Sequence, residues 1–128
     1  MIFYKLRQDN RGKTIYPGHW FAHAFNIGTT ETKDMARLIE ANCSVKRSDV
    51  MAVLIELSQQ MRRQLAESHR VRLEGIGTFM VGLRNRPCPT YQEFSPDYIE
   101  GMRVNFQCDP EMMPSDATFR ELPVYTDK

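Results

Sequence analysis

Val71-Arg72-Leu73-Glu74-Gly75-Ile76-Gly77-Thr78-Phe79-Met80-Val81-Gly82-Leu83 is the stretch that decides the fold. Val71 and Leu73 alternate with Arg72 and Glu74, the two-residue period of a strand with one apolar face. Gly75-Ile76-Gly77 has the composition of a turn, and Thr78 to Leu83 resumes the strand character. By itself such a Gly-Ile-Gly is a plain tight turn.

Upstream of this stretch the period becomes helical. Val50, Val53, Leu54, Leu57, Met61 and Leu65 recur at three- and four-residue steps, with Gln59, Arg62 and Arg63 mostly on the other side. Asp49 near the start and Arg62-Arg63 near the end suit the helix dipole. Met35, Leu38 and Ile39 form a shorter stripe before it, with Thr29 or Thr30 as a cap. Asn42-Cys43-Ser44 reads as the turn of an αα-hairpin.

The flanks are less regular. Phe3 to Arg7 and Trp20 to Phe25 have strand composition, separated by the turn residues Asp9-Asn10-Arg11-Gly12 and interrupted by Pro17-Gly18. Arg84 to Tyr98, with Pro87, Pro89 and Pro96, reads as a loop or irregular arm. Met102 to Phe106 reads as a further strand, and the remainder, with Pro110, Pro114 and Pro123, as a short helical turn at most and then a mobile tail.

With 128 residues, 41% hydrophobic and 26% charged, the chain has the size and balance of one soluble globular domain. No apolar run is long enough to cross a bilayer, and Met1 to Arg7 lacks a secretory layout, so a cytoplasmic protein is expected. Cys43, Cys88 and Cys108 are odd in number and widely spaced, against a disulfide framework, and no C-x-x-C pair suggests zinc. The net charge of +1 is unevenly placed. From Asp109 onward five acids outweigh Arg120 and Lys128, for a net −3, which leaves +4 on the body before it. That is only a mild attraction for a polyanion.

No catalytic class is indicated. G-x-S-x-G is missing, and Gly-Ile-Gly lacks the longer glycine fingerprint and following helix of a nucleotide loop. His19 and His23 share a strand face, but no carboxylate or thiol completes a metal set, so they read as sheet-surface histidines. No catalytic residue, metal, cofactor or small-molecule substrate is expected. The eight methionines read as adaptable packing.

Helix, turn, helix, strand, Gly-x-Gly-x-Phe, strand, arm, strand is an order that resembles the HU/integration-host-factor family. Ser48-Asp49-Val50, Val71-Arg72-Leu73, Gly75-Ile76-Gly77-Thr78-Phe79 and Gly101-Met102-Arg103-Val104-Asn105-Phe106 carry the resemblance. It covers about three-quarters of the chain and is nearest to the HU-like group of Bacteroides-type bacteria, which also has an N-terminal strand extension. It implies an α+β fold with an αα-hairpin base, an antiparallel β-sheet saddle and an intertwined dimer, in which Leu54, Leu57, Met61, Phe79 and Phe106 fill the dimer core. Residues 1–113 would be the HU-like domain, as an extension over 1–28 and a core over 29–113, with a flexible acidic tail over 114–128.

The function implied is that of a nucleoid-associated, architectural protein binding double-stranded DNA through its phosphates as a homodimer. The loop at Gly75, Gly77 and Thr78 matches the one whose amides approach phosphate, and glycines and exposed amides suit an anion. Lys46, Arg47, Arg70, Arg72, Arg84, Arg86 and Arg103 are the basic candidates. The stretch Arg84-Asn85-Arg86-Pro87-Cys88-Pro89-Thr90-Tyr91 is shorter than the arms of DNA-bending members, and Glu93, Asp97 and Glu100 follow it, so backbone binding is expected rather than strong bending. The rival expectation is an HU-fold protein-interaction module with little DNA affinity, favoured by the near-neutral charge.

Overall fold

The computed structural model of the protein describes residues 1–9, 12 and 15–122. It is a mixed α+β fold of strands β1 (Ile2–Gln8) and β2 (Trp20–Ala24), helices α1 (Thr32–Asn42) and α2 (Arg47–Ala66), and strands β3 (Val71–Leu73), β4 (Gly77–Asn85), β5 (Ile99–Cys108) and β6 (Phe119–Glu121). Two compact units result, one of Thr32–Met113 and one joining Met1–Glu31 to the segment that begins at Pro114.

In the larger unit α1 and α2 form the expected hairpin. α1 starts at Thr32, beyond Thr29 and Thr30, so neither threonine flanks its first turn. At the start of α2 the Arg47 N–H donates to the Glu40 carboxylate, while the Asp49 and Val50 amides bond the Lys46 carbonyl at 3.0 Å. Asp49 lies in the first turn of α2 and Arg63 in the last, matching the dipole at both ends. The helix closes with Ser68 in the left-handed region at φ 65. There the Ser68 N–H bonds the Leu65 carbonyl and the His69 N–H the Gln64 carbonyl, a Schellman termination.

β3, β4 and β5 form an antiparallel sheet in that order. Leu73-Glu74-Gly75-Ile76 is the turn between the first two, closed by Ile76 N–H to Leu73 carbonyl at 3.0 Å. Gly75 has φ 80 at its third position, which a type II turn requires. Paired residues share a face, so Val71, Leu73, Phe79, Val81, Met102, Val104 and Phe106 lie together as the apolar side. The Phe79 and Phe106 rings meet there at 4.8 Å between centroids. Leu54, Leu57 and Met61 are half-buried on α2. Among the described residues the fully packed apolar side chains are Ala36 and Val50, and Phe106 stays 48% exposed and Val104 57%.

The smaller unit is a second three-stranded sheet in the order β2-β1-β6. β1 and β2 are antiparallel and β1 and β6 parallel. Tyr16-Pro17-Gly18-His19, where an irregularity was expected, is a turn with Gly18 at φ 78. Asn10 and Arg11 of the expected loop lie outside the described residues.

Within the stretch 114–128, expected as a flexible tail, residues 119–121 form a strand. Phe119–Glu121 pairs with Ile2–Tyr4, and the ladder is extended by Ile2 N–H to Thr118 carbonyl and Leu122 N–H to Tyr4 carbonyl. The unsatisfied edge of β1 is what orders this segment. Residues 123–128 lie outside the described residues. The extension accordingly groups, together with 29–31, with the segment from Pro114 rather than with Thr32–Met113.

Candidate nucleic-acid interface

The face of the β3-β4-β5 sheet opposite Phe79 and Phe106 is polar. Its register puts Arg72 beside Thr78, Gly82 beside Arg103 and Arg84 beside Gly101, so three of the basic candidates and Thr78 share one surface. Asn105 and Gln107 lie on it too, opposite Met80 and Thr78. The paired stretches 71–73, 77–84 and 101–107 contain no carboxylate. A sheet that is apolar on one side and arginine-bearing on the other follows from the two-residue period alone.

Two glycines flatten this surface. A Cβ at Gly101 would stand 3.1 Å from the Arg84 guanidinium, and one at Gly82 would stand 2.7 Å from Asn105 Nδ2 and 3.4 Å from Arg103 Nε. Both arginines therefore lie along the sheet over a neighbouring backbone. Their donors are held near the surface, where a phosphate oxygen could accept from them.

The turn at Gly75 differs from the expectation that its amides face a ligand. The Gly75 N–H donates to Asp109 Oδ2 at 3.0 Å, and Arg72 Nη2 reaches the same oxygen at 3.3 Å. Asp109 also donates its own N–H to the Ile76 carbonyl at 3.0 Å. Its side chain is 10% exposed against 60% for Arg72, so a nearly buried carboxylate fills the anion position of the turn. Gly77 is close to protein: a Cβ there would stand 2.3 Å from the Gln107 carbonyl oxygen and 2.7 Å from the Phe106 ring.

Arg86 is also engaged. Its N–H bonds the Tyr98 carbonyl at 2.9 Å, its Nη2 the Asp97 carbonyl at 3.3 Å, and its guanidinium lies 4.6 Å over the Tyr98 ring. It pins the base of the arm. Lys46 and Arg47 are exposed at the start of α2, and Arg70 lines a hollow of about 320 Å³ with His69 and Met80. The strand register that unites Arg72, Arg84 and Arg103 does not include these three. The sequence reading missed Asp109, Asn105 and Gln107. Alternation with Arg103 is enough to place the latter two, whereas nothing local distinguishes Asp109 from the acids that follow it.

Residues 1–119 match the family described as HU-HIG, an HU domain fused to a wHTH, Ig or glycine-rich motif. The chain belongs to this family. Among solved structures it is similar to a Bacteroides vulgatus protein provisionally described as a bacterial DNA-binding protein, with a TM-score of 0.67 at 14% identity. That likeness covers 99% of this chain and 50% of the other, so the chain spans half of that protein's length. No curated protein matches the sequence.

Proposed function

We propose that the protein is a non-catalytic DNA-binding module that works as a homodimer and holds duplex DNA by its phosphates, with little sequence preference. The observation that carries this is the sheet face on which Arg72, Arg84 and Arg103 lie together with Thr78, Asn105 and Gln107, in paired stretches that hold no acid, with Asp109 against Arg72 at its edge. Membership in an HU-domain family and the likeness to a protein described as DNA-binding support the same partner. Arginines laid flat over Gly82 and Gly101 suit a broad polyanion rather than one small ligand.

The dimer is supported by what the single chain leaves open. Val81, Leu83, Met102, Val104 and Phe106 keep between 39% and 75% of their surface on the apolar side of the same sheet. An apolar patch of this kind is unfavourable in water, and a second copy with the same patch would cover it. Pairing would also double the arginines facing DNA, and each further phosphate neutralised steepens the salt dependence.

One observation favours the second reading, an interaction module with little DNA affinity. Asp109 occupies the Gly75 amide and one side of Arg72, which removes part of the expected phosphate site. The two readings separate in one experiment. Sedimentation equilibrium establishes the dimer, and a mobility-shift titration with duplex DNA compares wild type with Arg84→Glu/Arg103→Glu. A dimer whose DNA binding is lost in the variant supports the first reading. A dimer that binds no duplex even at low salt supports the second.

A further inference from the structure

The β2-β1-β6 sheet is two-sided in an unusual way. Its register places Ile2, Tyr4, Leu6, Ala22, Ala24 and Phe119 on one face, where five of them line an apolar hollow of about 400 Å³. The other face pairs Arg7 with Phe21, Lys5 with His23 and Phe3 with Arg120. Phe25 extends it by donating its N–H to the Phe3 carbonyl at 2.8 Å. Within β1, β2 and β6 the only acid, Glu121, pairs with Tyr4 on the other face, and Asp9, which continues β1 by donating its N–H to the His19 carbonyl, is buried.

We propose that this face, with Phe21, Phe25 and Phe3 interleaved with Lys5, Arg7 and Arg120, is a second nucleic-acid surface that binds a single strand by stacking bases on its rings. Phe21 and Phe25 are 42% and 40% exposed, open enough to be covered by planar partners. Lys5 Nζ lies over one face of the Phe25 ring, 4.2 Å from its centroid, and so fixes a cation on that ring and leaves its other face for a base. Among the described residues Lys5, Arg7 and Arg120 form no ion pair, so their charge is available to phosphates. Rings combined with cations along a sheet are what a sequence-tolerant single-strand platform needs.

Geometry favours a single strand over a duplex. Phe21, His23 and Phe25 follow one another at every second residue of β2 and its extension. That spacing is about 6.8 Å on an antiparallel strand, about twice the 3.4 Å rise of one strand in duplex DNA. An unstacked, extended strand can present successive bases at such a pitch, whereas a duplex keeps its base faces covered. The inference does not depend on the polar face of the β3-β4-β5 sheet.

The test uses the full chain and a fluorescent oligo-dT, followed by anisotropy at low salt beside a duplex control. Phe21→Ala/Phe25→Ala is expected to weaken dT binding about tenfold or more and to leave duplex binding unchanged. Arg7→Gln/Arg120→Gln, which leaves the rings in place, is expected to reduce the slope of log affinity against log salt for dT by about 1.4, two phosphates' worth. Arg84→Glu/Arg103→Glu is expected to abolish duplex binding and spare dT, so the two surfaces fail separately. Wild-type dT affinity in both variants of the β2-β1-β6 sheet overturns the proposal. So does a loss of dT and duplex binding in parallel, or dT binding that depends on Arg84 and Arg103.

Discussion

The Asp109 carboxylate accepts the Gly75 backbone N–H at 3.0 Å across 34 residues of sequence, with Arg72 on the same oxygen. A single side chain thus ties the end of β5 to the β3-β4 turn and places a negative charge beside the arginine face. Asp109→Asn keeps the shape and removes the charge. Duplex DNA should bind more tightly to this variant, because Arg72 is released and one repulsive charge is removed per chain. The cost is folding stability, about 1–3 kcal/mol for weakening a nearly buried charged hydrogen bond, read by chemical denaturation. Unchanged affinity would mean that Arg72 does not contact DNA.

Gly77 is required by packing. A methyl group there would overlap the Gln107 carbonyl oxygen and press on the Phe106 ring. Gly77→Ala should destabilise by about 1–3 kcal/mol as an overpacked site. Gly75→Ala meets no neighbour within 4 Å, and its cost is confined to the left-handed backbone, about 1–2 kcal/mol. A Gly77→Ala protein as stable as wild type in urea would contradict the register of β4 on β5.

Much of this was legible in the sequence, and the residues show why. The twenty-residue α2 and the alternation from Val71 to Leu83 repeat their period often enough to be read directly. β5 is longer than expected, Ile99–Cys108 instead of Met102–Phe106, because Glu100 and Gly101 sit at a register shift opposite Arg84 and Asn85 and interrupt the pattern. β6 is three residues between Pro114 and Pro123, too short to show alternation, and its partner is at the other end of the chain. The grouping of Arg72, Arg84 and Arg103 follows from strand period. The engagement of Arg86 by Tyr98 and of Gly75 by Asp109 depends on where distant backbone comes to rest, which no local pattern encodes.

Ser68 ends α2 in a conformation that costs a side-chain-bearing residue about 1–2 kcal/mol. Ser68→Gly should therefore raise stability by about 0.5–1 kcal/mol after the greater freedom of the unfolded glycine is counted. Thermal unfolding monitored by circular dichroism checks it. A lower melting temperature would show that the Ser68 side chain contributes a contact of its own.

Val104 lies 57% exposed on the apolar face, opposite Val81 and beside Phe106. Val104→Asp places a charge on the patch that a second copy would cover. Sedimentation should show this variant dissociating, because an unpaired charge in a buried contact is costly. A Val104→Asp protein that remains a dimer would mean that the chains associate through another surface.

The most direct measurement is fluorescence anisotropy of a labelled duplex titrated with the wild-type protein at low salt and again near physiological salt. Micromolar or tighter binding is expected, with log affinity falling by about 0.9 per phosphate engaged as log salt rises. Arg84→Glu/Arg103→Glu should lose both the affinity and most of that slope. No binding at low salt by a folded dimer, or a double variant that binds as wild type does, would contradict a DNA-binding role for the arginine face.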